Sequence, residues 1–140
     1  VILFDVNVLV YAFRVDSPLH ESAKSILEKA LSEENSISFP SIGASFLRLV
    51  TNPKIFVHPS PPLEAWSFLD ALTGRKRFQW KNLDEEVWKY FRQLSLSTEA
   101  TGNIVPDALL AAAALRYDCT LSTFDRGFSR FGGLKVKFLN

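Results

Sequence analysis

The first four residues, Val1 to Phe4, are apolar without alternation, and a charge follows at once at Asp5. A strand with one wet face alternates apolar and polar side chains, whereas a strand covered on both faces reads as an unbroken apolar run. The opening therefore requires a sheet sandwiched between helices, with the strand stopping near Asp5. The rest of the chain has to supply those helices.

Ser17 followed by Pro18 is a helix-start pair, and Leu19, Ala23, Ile26, Leu27, Ala30 and Leu31 recur at helical spacing up to Ser32. The polar stretch Glu33 to Ser36 ends that helix. Ile37 to Phe39 is a second short strand closed by Pro40, and Ser41 is placed to cap a helix carrying Ile42, Phe46, Leu47 and Val50, which Asn52 and Pro53 terminate. VHPSPPL is a stiff connector, a helix follows from about Leu63 to Leu72, and Phe78 to Trp80 has the makings of a short strand.

Asp84 with Glu85 and Glu86 opens another helix, its acidic start complementing the helix dipole and Val87, Tyr90, Phe91 and Leu94 forming its buried stripe. After a polar loop at 97–103, Pro106 sits in the first turn of PDALLAAAALRY, apolar on nearly all sides and so central in the fold. CTLST is a strand, FDRGFSRFGG a loop or one-turn helix, and VKFL a last strand. Strands interleaved with helices in this way imply a three-layer α/β/α domain with a central parallel sheet of four to five strands and right-handed crossovers.

A length of 140 residues fits a single domain spanning 1–140, and a hydrophobic fraction of 47% is ample for one core. The net charge of +1 excludes nucleic-acid coating by global charge and confines any such contact to local Lys and Arg clusters. Cys119 has no partner for a disulfide, and with only His20 and His58 there is no zinc-type cluster. Cys119 reads as a small hydrophobe in its strand. No signal-peptide pattern is present and the helix near residue 110 is too short for a bilayer, so the expected setting is intracellular and reducing, with no membrane partner.

In open parallel sheets, ligands bind beyond the carboxyl ends of the strands. Three aspartates fall there: Asp5 after the first strand, Asp107 at the start of the Ala-rich helix, and Asp125 after LST. Singly, each has an ordinary reading as a cap or dipole-complementing residue. Jointly, three carboxylates in one crevice repel one another, and an oxygen-seeking cation such as Mg2+ or Mn2+ is the simplest neutraliser. Such an ion activates water for attack on a phosphodiester. Asn7 and Thr123 lie where they can hold the carboxylates or a water in place.

The blocks FDVNVLVYA, FLRLVTNP, VPDALLAAAAL and LSTFDRGFSRFGGL, in this order from residue 4 to residue 134, resemble the PIN domains of the VapC toxin family. The resemblance implies a Mg2+- or Mn2+-dependent endoribonuclease of a bacterial or archaeal toxin–antitoxin pair, located in the cytoplasm. It further implies structured RNA such as tRNA or rRNA as substrate, a homodimer, and inhibition by a VapB-like antitoxin. By motif position the family's first, third and fourth acidic residues correspond to Asp5, Asp107 and Asp125, its strand-end Ser/Thr to Thr123, and the Asn of its opening motif to Asn7. Ser45 stands where the family usually has its second acidic residue, and residues 35–63 contain no Asp or Glu to replace it. A catalytically weakened domain that only binds RNA or an antitoxin is the corresponding alternative.

GRKRFQWK sets Arg75, Lys76, Arg77 and Lys81 beside Phe78 and Trp80, a mixture suited to phosphate pairing and base stacking, or equally to a solvated loop anchored by its aromatics. Arg126 and Arg130 lie nearer the proposed metal edge and are the first candidates for phosphate contact. Arg48 reads as a buried ion-pair partner or an antitoxin contact, His20 and His58 as surface residues, and Trp66 and Trp88 as core or dimer-interface residues. A phosphatase of the haloacid-dehalogenase type also ends its first strand in Asp, but it needs a second Asp where Asn7 stands.

Overall fold

A computed structural model describes residues 1–140. Its elements are β1 (Ile2–Phe4), α1 (Val6–Phe13), α2 (His20–Glu33), β2 (Ser36–Ser38), α3 (Pro40–Val50), α4 (Pro62–Thr73), β3 (Phe78–Trp80), α5 (Glu85–Ser97), α6 (Ile104–Arg116), β4 (Thr120–Thr123) and β5 (Val136–Phe138), with a 3-10 turn at Arg126–Arg130. The five strands form one sheet in the order β3-β2-β1-β4-β5, every neighbouring pair parallel.

Both faces of the sheet are covered, as the unbroken apolar run of β1 requires. Ile2 and Phe4 join a core with α1 to α4, while Leu3 points the other way into a core with α5, α6 and Leu121 of β4. Leu3 and Phe4 are fully buried. Five alanines of α6, from Ala108 to Ala114, are buried, which is why that helix carries so little bulk: small side chains let it lie against both the sheet and α5.

Several local expectations shift. The segment after Asp5 is a helix, α1, which carries Val8, Leu9 and Val10 into the core. Its β-branched residues mask it in a propensity reading, and tertiary burial overrides that preference. Helix α2 begins at His20; Ser17 instead accepts the Leu19 N–H in a turn, 3.1 Å. Ser41 does not cap α3, whose N-cap is Phe39 and which ends at Val50. Asp84 occupies the N-cap of α5 without capping it, because its carboxylate is taken by Arg116 at 2.7 Å. Tyr90 lies outside the buried stripe of α5, and Trp66 and Trp88 are 52% and 67% exposed, so neither Trp is a core residue. Cys119 is buried as expected.

A clamp with no sequence signature joins the end of α1 to the proline-rich connector. Arg14 is only 7% exposed. Its guanidinium donates to Asp16, to the His58 carbonyl at 2.8 Å and to Ser60 Oγ at 2.9 Å, and it stacks over the Phe56 ring. No helix of the chain is long and apolar enough to cross a membrane.

Candidate active site at the carboxyl edge of the sheet

β1 and β4 are neighbours and parallel, so the residues that follow them emerge side by side. Asp5 is the N-cap of α1, in extended backbone, and its Oδ1 accepts the Val6 N–H at 2.7 Å. The cap reading is therefore correct for this residue, but it uses one oxygen. The other, Oδ2, accepts a hydrogen bond from Thr123 Oγ1 at 2.7 Å.

Thr123 is completely buried and joins three parts of the edge. Besides donating to Asp5, its hydroxyl oxygen accepts the Asp125 N–H at 2.9 Å and, more weakly, Asn7 Nδ2 at 3.4 Å. Asn7 Oδ1 in turn faces the Phe124 N–H at 3.4 Å. Asp125 caps the 3-10 turn by accepting the Gly127 N–H on Oδ1, 2.8 Å, which leaves Oδ2 free. Gly127 leaves room there: a Cβ on it would lie 3.0 Å from Asp125 Oδ1 and 3.3 Å from Arg130 Nη2, close enough that these side chains would have to give slightly.

Asp107 arrives in the first turn of α6. Its carboxyl is pushed up to about 6, first by burial, then by the charges of Asp125 and Asp5, with Arg130 pulling the other way. Burial likewise raises Asp5, against the hydrogen bonds from Thr123 and Val6, and Asp125 adds repulsion. Three segments far apart in sequence thus present carboxylates that feel one another. They do not close into a tight ligand cage, since no three His, Cys, Asp or Glu side chains converge at ion-holding distance.

The donors present are all carboxylate oxygens, which suits a hard cation and not zinc. Mg2+ in particular needs only one or two carboxylates and keeps several waters, so an open arrangement is compatible with it. Asp5 Oδ2, Asp125 Oδ2 and the Asp107 carboxyl are the groups that could hold such an ion.

Arg130 is the cation at this edge, adjacent to Gly127 and felt by Asp107. Arg126 is engaged at the end of β5, donating to Asn140 Oδ1 at 2.8 Å and lying over the Phe138 ring. Ser45, half-buried, lines a recess of about 150 Å3 with Ser41, Ile42, Pro106 and Leu109, so it faces the residue next to Asp107 and brings no charge there. Arg48 is exposed and outside every ion pair, which removes the buried-pair reading. His58 is exposed, as expected, but His20 is half-buried with Nδ1 2.9 Å from the Tyr11 carbonyl.

The basic segment lies elsewhere. Arg75, Lys76 and Arg77 precede β3, and in an all-parallel sheet this places them at the amino edge, opposite the aspartates. Arg75 is ion-paired to Glu28 at 2.8 Å. Phe78 and Trp80 are not stacking platforms for bases: Phe78 is 7% exposed, and Trp80 donates to Thr73 Oγ1 at 2.8 Å while packing edge-on against Phe78.

Comparison with known proteins agrees with this arrangement. The PIN domain family model matches residues 2–134. Ribonuclease VapC43 of Mycobacterium tuberculosis is 40% identical over 132 residues, covering 94% of this chain and 90% of the relative. Ribonuclease VapC31 of the same species is 36% identical over 134 residues, covering 95% and 94%. Among solved structures, VapBC2 from Rickettsia felis, bound to a DNA fragment from its promoter, superposes with a TM-score of 0.75 at 20% identity, covering 99% of this chain and 98% of that one. VapC20 of M. tuberculosis, a Sarcin-Ricin loop cleaving toxin, gives 0.71 at 14% identity over 97% and 98%. With an all-parallel sheet in this order, aspartates grouped at its carboxyl edge and relatives of this similarity along nearly its whole length, the chain belongs to the PIN-domain family, among the VapC ribonucleases.

Proposed function

We propose that this protein is an endoribonuclease dependent on Mg2+ or Mn2+, the toxin of a VapBC-type pair, acting at the carboxyl edge through Asp5, Asp107 and Asp125. The observation that carries the reading is electrostatic: burial first, and then the charges of Asp125 and Asp5, push the Asp107 carboxyl up to about 6, an unfavourable arrangement that a divalent cation relieves. A bound ion supplies a Lewis acid for the phosphodiester and lowers the pKa of a water. The chain's own residues do the rest. Thr123 and the Val6 N–H hold the Asp5 carboxylate in one orientation, and Thr123 also fixes the backbone at Asp125. Arg130, which acts on Asp107 at the same edge, would pair with a phosphate there.

A protein partner follows from the same family, because VapC-type chains with this fold are found in toxin–antitoxin complexes such as VapBC2 of R. felis and VapBC-1 of Haemophilus influenzae. A VapB-like antitoxin that silences cleavage is the expected partner, and tRNA or rRNA the expected substrate. The test is cleavage of structured RNA in Mn2+ or Mg2+. EDTA should stop it and Asp5→Asn nearly abolish it; full cleavage by the variant would refute the assignment.

A further inference from the structure

The edge strand β3 carries its charges on one face only. Phe78 and Trp80 point to the side of α3 and α4, where Phe78 joins the core and Trp80 lies over Gly43. By strand alternation Arg77, Gln79 and Lys81 point to the other side. There they line a polar recess of about 370 Å3 together with Lys76, Asn35 and Tyr117.

The composition of this recess is one-signed. No Asp or Glu lines it. Lys76, Arg77 and Lys81 belong to none of the chain's ion pairs, in contrast to Arg75 just before them. Lys81 Nζ sits over the Tyr117 ring at 4.8 Å, which holds it in place without neutralising it. Side chains on one face of a strand repeat about every 6.6 Å, a step comparable with successive phosphates along an extended single strand. Lys81 follows the carboxyl end of β3, two interstrand spacings, roughly 10 Å, from the end of β1 where Asp5 stands.

From these features we infer that Arg77, Gln79 and Lys81, with Lys76, form a phosphate track that holds a single-stranded part of the RNA as it runs from the aspartate edge along β3. Arg77 and Lys81, about 13 Å apart, pair with alternate phosphates, Gln79 donates a hydrogen bond to the phosphate between them, and Lys76 extends the track beyond Arg77. The inference rests on the ribonuclease reading for the identity of the polymer, and on the geometry of β3 for its location.

The test measures binding of a labelled single-stranded RNA, long enough to reach from the aspartates across β3, by fluorescence anisotropy in EDTA over a range of salt. Each phosphate contact contributes about 0.7 to the slope of log K against log salt for a single strand. Lys76→Ala/Arg77→Ala/Lys81→Ala should therefore lower the slope by about 2, and weaken binding at low salt by on the order of tenfold. Lys76→Ala/Arg77→Ala, which touches only exposed side chains, should lower it by about 1.4, so the test survives if losing Lys81 disturbs the fold. Lys24→Ala/Lys29→Ala, on the opposite face of the sheet, should leave the slope nearly unchanged. An unmoved slope in the β3 variants, or an equal fall in the α2 control, overturns the track. Cleavage by the unaltered protein is assayed alongside: if cleavage holds and the slope does not move, only the track fails. If RNA binds along β3 without being cut, only the ribonuclease reading fails, and if RNA neither binds nor is cut, both do.

Discussion

Thr123 joins both acidic strand ends, and its loss should be felt in stability and in activity together. Thr123→Val keeps the shape but leaves Asp5 Oδ2 buried without its donor, where Asp5 is 8% exposed. The expected cost is roughly 1–3 kcal/mol in urea unfolding, with cleavage down on the order of 10–100-fold; wild-type values on both counts would show that the hydroxyl does not position the carboxylate. Asp107 predicts a pH effect whose sign is unambiguous. Its carboxyl is raised from 3.8 to about 6, so the folded chain binds the proton more tightly than the unfolded chain does. The associated stability is full below about pH 4 and is lost as pH rises through about 6. In EDTA, Asp107→Asn should therefore unfold at a higher temperature than the native protein at pH 7.5, and the gap should close at pH 3.5. A gap that does not depend on pH would mean that the shift has another origin. At this scale the candidates Asp5 and Asp125 stood out by following strands, and Asp107 by opening the Ala-rich helix after Pro106. That Asp5 divides its oxygens between a cap and Thr123 was not legible, because a hydrogen bond across 118 positions has no local signal.

Among the elements, α1 and β3 show where pattern reading stops. The run after Asp5 is too evenly apolar to show a helical face, and only its packing against α2 and α3 makes it a helix. Around β3 the sequence brings four cations and two aromatics together, but strand alternation sets Arg77 and Lys81 on the face opposite Phe78 and Trp80, so the combination suited to stacking bases never forms. The Arg14 clamp is an element-scale device as well, tying the connector between α3 and α4 to the end of α1. Arg14→Ala should cost about 1–3 kcal/mol, since the buried Ser60 hydroxyl and the His58 carbonyl lose their donor. Amide exchange should accelerate at residues 55–60 before it does elsewhere. Uniform exchange across the chain would show that the connector is held by other contacts.

For the whole molecule, cation binding should appear as stability. An ion that binds only the folded chain contributes about 2.7 kcal/mol at a hundredfold excess over its Kd, enough to raise Tm by several degrees. Mn2+ should produce that rise in the native protein and not in Asp5→Asn/Asp107→Asn, and equal shifts in both would place the ion elsewhere. Trp66 and Trp88 are the bulkiest of the exposed apolar side chains, and a homodimer or an antitoxin is where their burial is to be sought. The class of fold follows from the sequence alone, because burial on both sheet faces and the interleaving of strands and helices are written as local apolar patterns; the family follows from the resemblance of its motif blocks. The tertiary structure alone decided that Arg130 acts on Asp107 while Arg126 is engaged by Asn140, that Arg75 is spent on Glu28, and that the basic stretch before β3 begins at the opposite edge of the sheet from the aspartates. Those outcomes depend on which neighbour a long charged side chain meets, and sequence neighbours do not determine that.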